Sequence, residues 1–152
     1  MTRDEKYQAA QERIGYMLEE FKIGGNYTPL VRDGNQLYIS GQIPRVGDTL
    51  MLPGKVGESL TLAQAQIAAS ISALRCLGLL KQALGSLDQV KTLVRITVYV
   101  RSAEDFDQQS EVANAASDLF HEILGAAGVH TRTSVGVTVS YTHLRAHETK
   151  AN

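Results

Sequence analysis

Residues 91–101, KTLVRITVYVR, alternate without a break, with Val94, Ile96, Val98 and Val100 pointing one way and Leu93, Arg95, Thr97 and Tyr99 the other. That period of two predicts a β-strand at the centre of a sheet. Residues 132–139, RTSVGVTV, alternate again: Val135, Val137 and Val139 share one face and Arg132, Ser134, Gly136 and Thr138 the other. Between these strands the period changes. From Ser110 to Ala127, Val112, Ala116, Leu119, Phe120 and Ile123 fall on one helical stripe that closes at Gly128.

Upstream, Thr61 and Gln64 have the spacing of a capping box, and Gly85 stops the helix they begin. Ile67, Ile71, Leu74 and Gly78 share one face of it, and Gln64, Ser72, Arg75 and Gln82 another. From Gly41 to Ser59, Pro, Gly and Asp accumulate, which predicts a long surface loop. Before it, Leu30 to Arg32 and Gln36 to Ser40 flank Asp33-Gly34-Asn35, a hairpin signal with a three-residue link. Asp4 to Phe21 carries Tyr7, Ile14, Met17, Leu18 and Phe21 at roughly helical spacing, predicting a leading amphipathic helix that ends near Gly24-Gly25. The order is hairpin, helix, strand, helix, strand, an α+β arrangement with two helices on one sheet face. The reverse face is semi-apolar and needs a cover, for which a partner subunit is the simplest candidate.

The 152 residues fit one domain, and 43% hydrophobic with 20% charged residues excludes a disordered chain, a collagen-like repeat or a coiled coil. Fifteen Lys and Arg against sixteen Asp and Glu leave no basic field for a nucleic-acid backbone, and 6% aromatics without Trp give few stacking platforms. The lone Cys76 cannot make an internal disulfide, and the charged N-terminal stretch is unlike a signal peptide, so a reducing cytoplasm is expected. Ile67 to Leu84 is interrupted by Ser70, Ser72, Arg75, Lys81 and Gln82, too polar a run for a bilayer.

Several familiar chemistries are missing. Gly54-Lys55 continues into Val56 rather than a phosphate-loop Ser or Thr, and Tyr38-Ile39-Ser40-Gly41-Gln42 lacks the leading Gly of a nucleophile elbow. Cys76 sits mid-helix beside Leu77 and Leu80, as a small buried hydrophobe would. On a helix His143 and His147 would share a side, with Glu148 adjoining, but no third ligand is evident and no metal is expected. Arg132 has small or polar same-face neighbours, Ser134, Gly136 and Thr138, which leave room beside the guanidinium for a planar carboxylate. It is either an anion clamp or a strand-end arginine in solvent. Asn114, opposite Val112 and near Ser117 and His121, is a ligand contact or a surface Asn. Ser40-Gly41 offers a hydroxyl and backbone N–H groups to a ligand, or simply makes a turn.

Taken together, Tyr38-Ile39-Ser40-Gly41-Gln42-Ile43-Pro44, the Leu84 to Val100 segment with Gly85, Leu87, Asp88, Val90 and Lys91, the Asp105-Phe106 pair, Asn114 and Arg132-Thr133 resemble the Rid (YjgF-like) family over roughly Asn26 to Val139. The chain is most similar to the branch labelled endoribonuclease L-PSP or chorismate-mutase-like, with an added N-terminal helix. The resemblance implies a chorismate-mutase-like α+β sheet with two helices packed on one face, a homotrimer, and ligand clefts between subunits. It implies hydrolysis of reactive 2-imino and enamine acids to 2-keto acids and ammonia, without a cofactor. By this resemblance Arg132 would bind the substrate carboxylate, and Tyr27, Ser40, Gly41, Asn114 and Ser134 would line the pocket, Ser134 standing where the family often has Cys. Residues 1–140 would form the one domain, with 1–25 as a helical extension. The family's closing strand, entered through Leu-Pro and bearing a Glu that handles water and protons, is expected to be missing. Tyr141 to Asn152 instead reads as translated adaptor sequence joined to a truncated gene, or as a divergent native tail, with no core-facing pattern. That departure keeps a second function open, a non-catalytic module binding keto or amino acids; an endoribonuclease is a third.

Overall fold

A computed structural model describes residues 1–19, 21 and 26–138 and the backbone of 147–151. Its centre is helix α2 (Leu62–Leu84), and α1 (Arg3–Ile14) and α3 (Gln109–Leu124) are the other two α-helices among the described residues. The Thr61 hydroxyl accepts from the Gln64 amide and the Gln64 side chain accepts from the Thr61 amide, closing the expected capping box. Gly85, at φ +84°, ends α2 with its N–H on the Lys81 carbonyl. From Ala68 to Leu80 α2 is buried almost all round, Ser70 being the half-buried exception. Helix α3 buries Val112, Ala116, Leu119, Phe120 and Ile123, the stripe expected from the sequence, and Ala113 beside them, but it ends at Leu124, where Gly125 at φ +64° caps it, and not at Gly128. The expected faces of α2 need correction: Ile67 is 44% exposed, whereas Ser72 and Arg75 are buried. With α1, α3 and the sheet all packed against it, α2 has no long polar face left. By length and composition it would reach across a bilayer, but most of that apolar stretch lies inside the fold, as in a core helix.

Strands β1 (Leu30–Asp33) and β2 (Gln36–Gln42) form the hairpin, with Asp33 opposite Gln36, so its link is the two residues Gly34-Asn35 and not three. Gly34 takes φ +61°, as such a tight link demands. The loop expected over Gly41 to Ser59 contains a small ribbon, β3 (Arg45–Val46) with β4 (Thr49–Leu50), and dips inward at Val56, which is fully buried. Strand β5 (Leu93–Arg101) runs parallel to β6 (Thr131–Val137), with α3 as the crossover. Residues His147–Ala151 form β7, antiparallel to both β2 and β5, so the five-stranded order is β1-β2-β7-β5-β6.

Strand β7 corrects the expectation that the closing position is missing. Its sequence, His-Glu-Thr-Lys-Ala, has no apolar alternation to announce it, but backbone N–H and C=O groups on two facing edges supply a pairing template for any chain that fits. Glu148 lies in register with Thr97. The expected faces of β5 also change at its start. The register against β7 slips between Leu93 and Arg95, and this bulge turns Leu93 into the core while Val94 is 39% exposed. Beyond it the alternation holds: Ile96, Val98 and Val100 face the helices.

Helix α1 is shorter than expected. Gly15, at φ +90°, ends it, and the chain turns so that the Leu18 amide donates to the Gln11 side chain. Gln82 of α2 then holds both backbone groups of Phe21, each at 2.9 Å. Tyr7, Ile14, Leu18 and Phe21 still pack on the core, whereas Met17, expected with them, is 50% exposed because the chain leaves the helix before it. Gly24-Gly25 lies outside the described residues. Arg3 donates to the Leu87 and Val90 carbonyls and Asp4 accepts from the Leu87 amide, fastening the other end of α1. Gly78 makes the notch for this segment: a Cβ there would stand 2.5 Å from the Phe21 ring and 2.6 Å from the Tyr7 hydroxyl.

Burial pushes the Tyr7 phenol up to about 12, partly opposed by the nearby Arg75 cation. The folded state therefore retains a proton that the unfolded chain releases near pH 10, and stability falls as pH rises from about 10 to about 12. Tyr7→Phe removes this titration. In denaturant unfolding across pH 9–12, the parent is expected to lose roughly 2 kcal/mol more than Tyr7→Phe over that window.

Candidate functional site

Ile96, Val98 and Val100 on β5 stand in register with Arg132, Ser134 and Gly136 on β6, so these three share the helix side of the edge strand. The Arg132 side chain lies along α3. Its Nη1 donates to Asn114 Oδ1 at 2.9 Å and to Ser117 Oγ at 3.0 Å, and its Nη2 makes a longer bond, 3.5 Å, to the Ser110 carbonyl. Ser110, Asn114 and Ser117 follow one another along one face of the helix, opposite the buried stripe. Among the described residues Nε makes no hydrogen bond and no carboxylate pairs with Arg132; the one ion pair there is Arg13 with Glu122. The guanidinium is thus held at its Nη1 end, while the Nε–H and a second Nη2 proton remain available to one planar, two-oxygen acceptor. Ser134, half-buried, lies on the same face two residues along.

The remaining expected residues gather at the other side of the sheet. Against β7 the register of β2 slips between Ile39 and Gln42, so Ser40-Gly41 sits in a bulge rather than at a plain strand end. The bulge places Ile39 and Gln42, three residues apart, both in the buried layer, and leaves Gly41 exposed. Arg75 supports it from beneath, donating through Nε to Gln42 Oε1 at 3.2 Å and through Nη1 to the Arg45 carbonyl at 2.9 Å. Gln42 in turn donates to the Ser40 carbonyl. The Phe21 ring covers the guanidinium at 5.0 Å. Burial, and then Arg45, lower the pKa of Arg75, and neutral carbonyl partners hold it in place of an acid. Ser40 is tied back through its amide to the Pro29 carbonyl at 2.9 Å, and Tyr27, nearby in sequence, is 76% exposed.

The fold therefore unites Arg132, Asn114 and Ser134 but does not bring Tyr27, Ser40 and Gly41 to them. Three inter-strand steps separate β2 from β6, about 14 Å. Sequence reasoning placed Ser117 near Asn114 and missed it as an anchor of Arg132, as it missed Arg75. The repeat of polar residues at 110, 114 and 117 was the available signal for the first; nothing local marked the second. Of the expected non-metal residues, His147 and Glu148 fall in a strand and not on a helix, and His143 lies outside the described residues. Among the described residues no three His, Cys, Asp or Glu cluster.

Residues 13–142 match the family model described as "YjgF/chorismate mutase-like, putative endoribonuclease". A Trypanosoma cruzi relative, protein TCP17, is 42% identical over 113 residues, 74% of this chain and 71% of its own. Among solved structures, a protein of unknown function from Agrobacterium tumefaciens superposes with a TM-score of 0.88 at 29% identity, covering 99% of this chain and 94% of that one. A structure from Shewanella oneidensis described as a "putative endoribonuclease" gives 0.87 at 28% identity, covering 100% and 99%. The sheet order, the helix pair and these likenesses agree: the chain belongs to the YjgF/chorismate mutase-like (Rid) family and has its α+β fold.

Proposed function

We propose that the chain hydrolyses reactive 2-imino and enamine acids to 2-keto acids and ammonia, in clefts between the subunits of a homotrimer. The observation that carries this reading is the half-anchored Arg132: its Nη1 is bound to Asn114 and Ser117, and its Nε edge is open. An arginine so held presents a fixed fork, and a carboxylate seated on it leaves its α-carbon at a set position. Water adds to the C=N carbon while a proton goes to nitrogen; the carbinolamine then loses ammonia as its hydroxyl proton is removed and the C=O forms. No electrons change hands, so the reaction asks for no cofactor. Family membership and the Ser40-Gly41 bulge, with its exposed backbone, support the same assignment. The separation of Ser40 from Arg132 within one subunit favours a cleft completed by a second copy.

The helix-free sheet face supports the trimer. It presents Tyr99, half-buried, and Val135, 36% exposed, with no helix over them. Light scattering at micromolar concentration is expected to give three times the 16.5 kDa chain mass, with Lys91 to Arg101 protected from hydrogen exchange near the three-fold axis. A stable monomer overturns the assembly.

Arg132→Ala is expected to lower turnover of a freshly generated 2-imino acid, read as ammonia release above background, by at least ten- to a hundred-fold, the worth of a charge-assisted bond of roughly 1.5–3 kcal/mol. Arg132→Lys recovers only part, because a point charge does not fix the carboxylate plane. Equal rates in parent and Arg132→Ala remove the assignment. A parent that binds 2-keto acids through Arg132 but does not turn over imine is a binding module, and one that cleaves RNA independently of Arg132 is a nuclease.

A further inference from the structure

His130 lies just before β6, outside the reaction described above, and its ring bridges two groups of opposite character. Nδ1 is 2.6 Å from the Gly128 carbonyl and Nε2 is 2.9 Å from Ser117 Oγ. A carbonyl only accepts, so Nδ1 carries the hydrogen. A guanidinium only donates, so Ser117 Oγ accepts from Arg132 Nη1 at 3.0 Å. When the ring is neutral, Nε2 is bare and the Ser117 proton points at it. All three bonds then run in one sense, from Arg132 to Ser117 to His130 to Gly128, an arrangement in which each polarises the next.

We infer that Ser117 and His130 are positioning residues for Arg132: His130 fixes the direction of the Ser117 hydroxyl, and Ser117 so directed holds the Nη1 end of the guanidinium. The reverse arrangement, with hydrogen on Nε2, sends two donors to one Ser117 oxygen and leaves the Gly128 carbonyl facing a bare nitrogen. Two further features keep the ring in place. The Phe120 ring meets it edge-on at 5.9 Å and 80°. The turn Gly125–Gly128 approaches the end of α3 so closely that a Cβ on Gly128 would stand 2.3 Å from the Phe120 carbonyl oxygen, so glycine is needed to bring that acceptor to Nδ1. The consequence for ligand binding rests on the carboxylate reading of Arg132; the geometry of the relay does not.

Two sets of measurements separate them. Nitrogen-15 NMR of the unliganded protein is expected to show His130 as the Nδ1–H tautomer and restricted rotation of the Arg132 guanidinium, lost in Ser117→Ala and His130→Phe and regained in Ser117→Thr. Pyruvate and its amide, pyruvamide, are then titrated into the same proteins, each first checked for cooperative unfolding. Ser117→Ala is expected to weaken pyruvate about ten-fold and pyruvamide hardly at all, with Ser117→Thr recovering most of the loss. An Nε2–H tautomer, or a guanidinium equally mobile in parent and Ser117→Ala, overturns the relay. If pyruvate binding proves independent of Arg132, the carboxylate reading falls, and the NMR arm alone decides the relay.

Discussion

The close approach of α2 and α3 is the constraint on which the rest depends. Ala65, Ala68, Ala69 and Ala73 on one helix and Ala113 and Ala116 on the other are buried with almost no exposed surface, and the helices are tied at one end by the Gln66 amide on the Glu111 carbonyl. Small side chains let helix backbones come near each other without leaving voids. Because α3 sits so close to its neighbour, its outer polar face falls over the edge strand β6, where Ser110, Asn114 and Ser117 meet Arg132. Larger residues along that seam would lift α3 from the sheet and carry the three anchors with it.

The two parts of the candidate site are held by different means. On β6 a guanidinium faces outward and is oriented by side chains of one helix; under β2 another guanidinium, that of Arg75, faces inward and orients backbone. Arg75 has two neutral oxygen partners and an aromatic ring for company, and these offset part of the cost of burying its charge. A bulge exposes main-chain groups that a regular strand would commit to its neighbour, and this buried cation keeps the bulge from sliding along β2.

What the sequence made legible follows from where its signals are local. The capping box at Thr61, the glycine stop at Gly85, the stripe of α3 and the alternation of β6 need only their own neighbours, and each is where the pattern places it, although α3 stops at Leu124, ahead of the expected Gly128. The misplaced features depend on partners far along the chain. Leu93 and Val94 exchanged faces because of a register slip against β7, and α1 stopped at Gly15 because Gln11 and Gln82 captured the following backbone. Arg75 looked like a surface residue on a polar face, since nothing within a helical turn of it shows that Gln42 and Arg45 will cover it. In the candidate site, the small neighbours of Arg132 left it either a clamp or a strand-end arginine, and its anchors on α3 required the crossover to be folded first.

Strand β7 lies beyond β6 in sequence yet between β2 and β5 in space. During synthesis, β2, α2 and β5 therefore leave the ribosome before the strand that joins the two parts of the sheet. Until then the facing edges of β2 and β5 wait with open hydrogen-bonding groups, a template for pairing with a neighbouring nascent chain. The topology leaves those two edges open from the emergence of β5 until β7 docks between them, a cost of closing a sheet with its last strand in the middle.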